Sequence, residues 1–365
     1  MTADPSPSAL LTAPGTHQGQ TIELARALDV QVGTHSVPER FLYAHATRGE
    51  VIQHVRTQAS AEDRDRLPRI IADWDALQPR IRALQISESR LPDTIKIMPL
   101  PAEAQAFAAA TIADPLVAKT FESWNHEIAM VEVDKLVFPQ RTINEQYLEQ
   151  LLSRYSAPLD LAALLRICVS PKAEMAPIQH LEVAPNTHVF SSPNTDLRFL
   201  GAFLKDTIGI EDTPLVEAGG LPAAAVVGFV GYGTPVINAY RVGGRLILNN
   251  GHHRTYALRK LGILSIPILI LDVSNPIAEM PPAVGGTARE LCLGPRPPLV
   301  SDFLEKDFSI TLRVKDRIRQ LTVMMNLSQY DIPALSSPRR RGPFSVGYAH
   351  QRLAALEVVS RGCFR

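Results

Sequence analysis

The chain has 365 residues, in which 37 Lys and Arg are balanced by 37 Asp and Glu. That balance gives no global positive field for nonspecific nucleic-acid binding, so DNA is a possible but not a favoured partner, through a local patch alone. A hydrophobic content of 45% is ample for a core, the length suits two domains, and three distant cysteines (Cys168, Cys292 and Cys363) argue against a disulfide framework or a CxxC metal site.

The opening MTADPSPSALL has neither a basic n-region nor a long apolar h-region, and no run reaches the roughly 18 apolar residues of a membrane helix. With cysteine usage that suits a reducing compartment, this predicts a cytoplasmic protein with no membrane partner. Residues 1–20, rich in Pro, Ser and Thr, are expected to be disordered. Residues 21–125 predict a helical N-terminal region, which is also a candidate surface for a protein partner. In 39–58, Phe41, Ala44, Val51, Ile52 and Val55 fall near one helical face. In 64–84, Ile70, Ile71, Trp74 and Leu77 form a cleaner stripe, with Pro68 in an early turn and Pro79 expected to break or kink the helix. Trp74 reads as a core anchor. A strand or connector over 91–100, a helix over 102–111 and a short helix within 113–127, capped by Asp114 with Pro115 in its first turn, complete the region.

Residues 126–275 predict a mixed-sheet domain. It opens with a strand over 128–133 and a helix over 144–154. The run 161–170 includes a strand-like stretch with Cys168 in the core, and 187–192 with the turn after it precedes an expected short helix over 197–205. Residues 211–221 read as loop, and the apolar run 223–230 has no assignment. Residues 235–242, the Gly243-Gly244 turn and 245–249 read as a hairpin. A helix follows over 255–261, with Gly262 placed as its C′ glycine, and then a buried strand over 266–273. A C-terminal extension, 276–335, is Pro/Gly-rich with one helical turn around Cys292. Two strands then flank a Lys315-Asp316-Arg317 turn. The tail 336–365, with Arg339, Arg340 and Arg341, is expected to be mobile. The fold class is α+β.

Chemistry concentrates at one place. Asn249, Asn250, Gly251, His252, His253 and Arg254 all fall at the junction between the hairpin's second strand and the next helix. A helix start leaves about four backbone N–H groups without intrahelical partners and carries partial positive charge. Gly251 permits close approach to the main chain, and Arg254 adds a guanidinium fork. This pattern predicts anion binding, most plausibly of phosphate. Pairing of Arg254 with Glu132 or Asp134 is the structural alternative. No metal is assigned, because adjacent imidazoles rarely aim at one ion and no third ligand is suitably spaced.

Gly251-His252-His253-Arg254, between a strand and a helix, resembles the Gly-Cys-His-Arg of sulfiredoxins, the Gly-His-x-Arg of ParB-like serine kinases and the Gly-Glu-Arg-Arg of chromosome-partition ParB proteins. The chain is thereby similar to the ParB/sulfiredoxin-like superfamily, also called the ParB-like nuclease domain. A second match, VEVDKLVFPQRTINEQYLEQL over 131–151, resembles that domain's opening strand, loop and helix, so the likeness spans about 128–273. It implies that Gly251, His253 and Arg254 contact the phosphates of a nucleotide such as ATP, ADP or CTP, and that Ala257 fills a small helix position. Gln140 and Arg141 stand where the family often has Gln and Arg, with helix capping as their alternative role. His252 occupies the sulfiredoxin cysteine position, so sulfiredoxin chemistry is not expected. The segment after residue 273 lacks a helix-turn-helix pattern, so a centromere clamp is not expected either. The serine kinases use a Glu near the start of the domain as base, and Glu132 and Asp134 are the acidic residues in that region.

Three functions follow as expectations. The first is a nucleoside di- or triphosphate-binding enzyme or switch, with Mg²⁺ as a candidate assistant and Glu132 or Asp134 as candidate base for phosphoryl transfer. The second is a nuclease-like DNA-processing protein that holds a backbone phosphate at 251–254. The third is a non-catalytic adaptor on the same scaffold.

Overall fold

The computed structural model describes residues 36–155, 158–172, 175–184, 187–194, 196–209, 222–316, 319–325 and 358–359. Over these it is an α+β structure with several small sheets. The first elements are β1 (Ser36–Phe41), α1 (Arg48–Gln58), α2 (Leu67–Ser87), β2 (Ile97–Met98), α3 (Ala102–Ile112), α4 (Pro115–Thr120) and β3 (His126–Glu132). Next come β4 (Thr142–Asn144), α5 (Glu145–Arg154), α6 (Leu161–Val169), β5 (Gln179–Ala184), β6 (Thr187–Ser192), β7 (Arg198–Lys205) and β8 (Ala225–Gly231). The last are β9 (Asn238–Val242), β10 (Arg245–Asn250), α7 (His252–Lys260), β11 (Ser265–Asp272), β12 (Ile310–Lys315) and β13 (Arg319–Met324). Among the described residues no helix is long and apolar enough to cross a membrane. The expected disordered start and the loop at 211–221 lie outside the described residues. So does the expected mobile tail, save Val358–Val359, which pairs with β13.

Two compact units divide the chain: residues 34–174 with 234–316, and 175–233 with the described parts of 317–365. The first holds a five-stranded mixed sheet in the order β10-β9-β11-β3-β2 and a three-stranded sheet, β12-β1-β4. Strand β11 runs parallel to β9 and antiparallel to β3. Ile266, Ile268, Leu269 and Ile270 are fully buried along it, which explains its nearly unbroken apolar run. Pro267 is tolerated because β9 pairs only from Leu269 onward, so the missing N–H costs no bond on that side. The second unit holds a four-stranded sheet built on β5, β6 and β13, and the antiparallel pair β7–β8.

Local chemistry makes several helices as expected. Asp114 accepts from the Leu116 and Val117 amides at the start of α4, and Asn144 caps α5 through the Tyr147 amide. Ile70, Ile71, Leu77 and Ile81 are buried on one face of α2, and the Trp74 indole donates to the Ala46 carbonyl at 3.1 Å while its ring packs on the core. Pro79 lies inside α2, which continues to Ser87 rather than breaking.

Three expectations are corrected. The helix expected over 39–58 is a strand up to Phe41 and a helix only from Arg48, where Thr47 and Glu50 form a reciprocal capping box. Residues 36–41 pair along their whole length with β12, a partner some 270 positions away that no local window registers. The strand-like run in 161–170 is helix α6, capped by Asp160 on the Ala163 amide at 2.7 Å, with Leu164, Leu165, Cys168 and Val169 buried at helical spacing. The helix expected over 197–205 is strand β7. Gly201, at φ +125°, cannot be helical, and the unassigned apolar run supplies its partner β8. The two strands expected on either side of 315–317 are present as β12 and β13, and each pairs with a distant strand, β12 with β1 and β13 with β6.

Candidate anion-binding junction

Strand β10 reaches the junction through a register shift between Leu248 and Asn250, an irregularity that re-aims the chain. Both asparagines there donate inward. The Asn249 amide reaches Asn238 Oδ1 at 2.8 Å, and the Asn250 amide reaches the Thr234 and Val236 carbonyls at 2.8 and 3.2 Å. Asn250, a predicted ligand contact, is thus spent on holding the turn. Gly251 follows as the N-cap of α7, at φ +93° and ψ 20°. A Cβ at this position would lie 2.6 Å from Ile237 Cγ1, so packing and backbone both demand glycine. Gly251→Ala is expected to cost roughly 2–4 kcal/mol, from left-handed strain and overpacking together. A chemical denaturation curve checks this, and wild-type stability would show that Ile237 yields.

No side chain caps α7. Its first internal bond runs from the Thr255 amide to the Gly251 carbonyl at 2.9 Å, and the turn before it presents the amides of a helix N-terminus. His252 is 7% exposed, stands edge-on to Phe138 at 5.0 Å and has a buried Nε2 with no hydrogen-bond partner. Burial pushes its imidazole down to about 3, His253 adds to this, and a hydrogen bond to the Leu248 backbone opposes it. His253 Nε2 accepts from the Asn144 amide at 3.1 Å, so this nitrogen carries no proton. Burial holds its imidazole down at about 4, against the field of Glu39. Both rings are neutral at pH 7.

Arg254 Nη1 donates to the Ile167 carbonyl, at the end of α6, at 3.0 Å. Among the described residues it has no carboxylate within ion-pair distance, so its charge is not cancelled locally. Asp134, one of the two acids expected as its alternative partner, is held by Arg259 at 2.5 and 3.2 Å. Arg259 lies eight residues after Gly251, about 12 Å along the helix at 1.5 Å per residue. Glu132 accepts from the Lys96 amide at 3.2 Å and pairs with Lys135 at 3.3 Å. Neither acidic candidate is brought to the junction.

The upstream segment does fold against it. Val137 exchanges backbone bonds with Leu246 and Leu248 of β10, Phe138 packs on His252 and Asn144 binds His253. Within that segment, the Gln140 amide donates to the Thr142 carbonyl at 2.6 Å, and Arg141 pairs with Glu50 at 2.8 Å. Glu50 is pulled below the ordinary carboxylate range: burial works against this and is outweighed by the Thr47 amide and Arg141. The structure therefore collects Gly251, His252, His253 and Arg254 and turns Gln140 and Arg141 to partners of their own. Sequence reasoning missed Ile167, Phe138 and Asn144, whose roles depend on contacts more than 80 positions apart. No family model, curated protein or solved structure matches this chain.

Proposed function

We propose that this protein binds the phosphates of a nucleoside di- or triphosphate at the start of α7, on a scaffold of the ParB/sulfiredoxin-like kind. The observation that carries the reading is an uncapped helix N-terminus whose first turn bears a guanidinium that no carboxylate among the described residues neutralises. The two imidazoles that open the helix are neutral, so the site carries no fixed negative charge of its own. The order of strand, left-handed glycine, helix and returning strand agrees with the resemblance, as does the packing of 137–144 against the junction. Glu132 and Asp134 are engaged by cations elsewhere, which favours a binding or switching role over phosphoryl transfer with either as base. Mg²⁺ would serve as a counter-ion of the bound phosphates.

Arg254→Ala tests this. Loss of a charge-assisted hydrogen bond is expected to weaken nucleotide binding by roughly 10- to 100-fold. The fold loses the bond to the Ile167 carbonyl, about 1.5–3 kcal/mol. Isothermal titration with ATP, ADP, CTP and GTP in Mg²⁺, alongside a thermal melt, separates the two effects. An unfolded variant together with a wild type that binds no nucleotide would make Arg254 structural.

A further inference from the structure

The Ile167 carbonyl that accepts from Arg254 belongs to a residue lining a cavity of about 370 Å³. The cavity is formed by the end of α5, residues 158–160 and the first two turns of α6. Tyr155, Leu159 and Ile167, all half-buried, make its apolar wall, and the exposed Arg154 and Arg166 stand at its rim. Arg254 is close enough to act on Tyr155: burial pushes the phenol up to about 12, and the Arg254 charge opposes it. The end of α6 is also fixed to the junction. The Cys168 carbonyl accepts from the Ile237 amide at 2.7 Å, and Ile237 is the residue packed against Gly251. The Arg254 side chain therefore links the first turn of α7 to a residue of the cavity wall.

The lining decides the class of ligand. A bare phosphate would be poorly served, since the carboxylate Asp160 shares the wall and the two arginines are set among Tyr155, Pro158, Leu159, Ala163 and Ile167, a lining about as apolar as it is polar. A flat heteroaromatic ring is served by every feature: apolar faces to stack on, guanidinium planes at the rim, and a phenol and a carboxylate for its polar edge. The volume falls within the range of small-molecule sites, roughly 300–1,000 Å³. We propose that this cavity receives the base and sugar of a nucleotide whose phosphates lie at the start of α7. The assignment rests on the nucleotide reading of that junction and supplies its second half.

The test compares two probes on the full chain by isothermal titration: the tightest binder among ATP, ADP, CTP and GTP, and inorganic pyrophosphate. Ala163→Trp fills the cavity from α6, and Arg166→Ala removes an exposed rim group. Each should weaken the nucleotide by about tenfold or more, as loss of a stacking or edge contact does, with pyrophosphate changed by less than about twofold. Unchanged melting temperatures establish that both variants fold. Equal losses for both probes, no loss for the nucleotide, or a wild type that binds pyrophosphate as tightly as any nucleotide would overturn the cavity assignment while leaving the phosphate junction intact. A wild type that binds neither probe overturns the junction reading, and the cavity assignment falls with it.

Discussion

Asp302→Ala is expected to destabilise the protein by about 3–5 kcal/mol, the range for removing one partner of a buried ion pair. Asp302 is 2% exposed, and Arg296 grips it through two nitrogens at 2.9 and 2.7 Å. His45 Nε2 lies 2.9 Å from the same carboxylate, and the Leu299 amide donates to it at 2.8 Å. Arg296 in turn reaches Glu88 at the end of α2 at 2.8 Å. One carboxylate thus ties the turn after β1, the end of α2 and the segment before residue 300 into a single knot. Removing it leaves a guanidinium, 3% exposed at its side chain, with only Glu88 and the Pro297 carbonyl to satisfy it. A melt should move down by roughly 10 °C for a unit of this size. The double change Arg296→Met, Asp302→Leu should be milder than Asp302→Ala alone, because it removes both charges rather than stranding one. A single-variant loss under about 1 kcal/mol would mean that water or a rearranged Glu88 takes the place of Asp302.

Such a knot is not legible in the sequence, and the reason is general to this chain. What could be read from neighbours was local: the Gly243-Gly244 hairpin, the helix starts at Asp114 and Asn144, the left-handed Gly251, and Gly262, which sits at φ +85° just past α7. Each depends on residues within a few positions of one another. Strands β1 and β7 are missed because they depend on distant partners. Strand β1 carries a helix-like apolar spacing, but six consecutive pairings to β12 outweigh that local pattern. The stretch 161–169 has apolar residues on most positions, so its period was obscured until the Asp160 cap fixed its start. The candidate site divides the same way. Its backbone, from β10 through α7, follows from local residue types, whereas Arg254 is positioned by the carbonyl of Ile167 and Arg141 by Glu50, contacts that cross 87 and 91 positions. Residue identity indicated where an anion could bind. It did not indicate which polar side chains the fold would use for itself.

The two imidazoles at the start of α7 should make the fold sensitive to mild acid. His252 is held down at about 3 by burial, with His253 contributing, whereas an unfolded chain binds the proton near 6.5. Between those values the unfolded state carries more protons, so stability is complete above about pH 6.5 and falls as the pH is lowered. Each pH unit costs about 1.4 kcal/mol per such group, or about 3 kcal/mol from His252 alone by pH 4. His253, held at about 4 and partly open to solvent, adds a smaller loss over the same window. Against a typical total of about 5–15 kcal/mol, this places acid unfolding well above the range in which Asp302, depressed to about 2, would be protonated. Denaturant midpoints between pH 7 and 4 should fall steeply for the wild type. His252→Leu removes the deeper group and costs about 1 kcal/mol near neutrality, the ring's hydrogen bond to the Leu248 backbone, while its Nε2 has no partner to lose and its ring packs on Phe138. That variant should therefore show a shallower acid limb, by about one proton per molecule, crossing the wild-type curve as the pH drops. Parallel curves for the two proteins would mean that His252 takes up its proton as readily in the fold as outside it, and would overturn the reading of a ring held neutral by its burial.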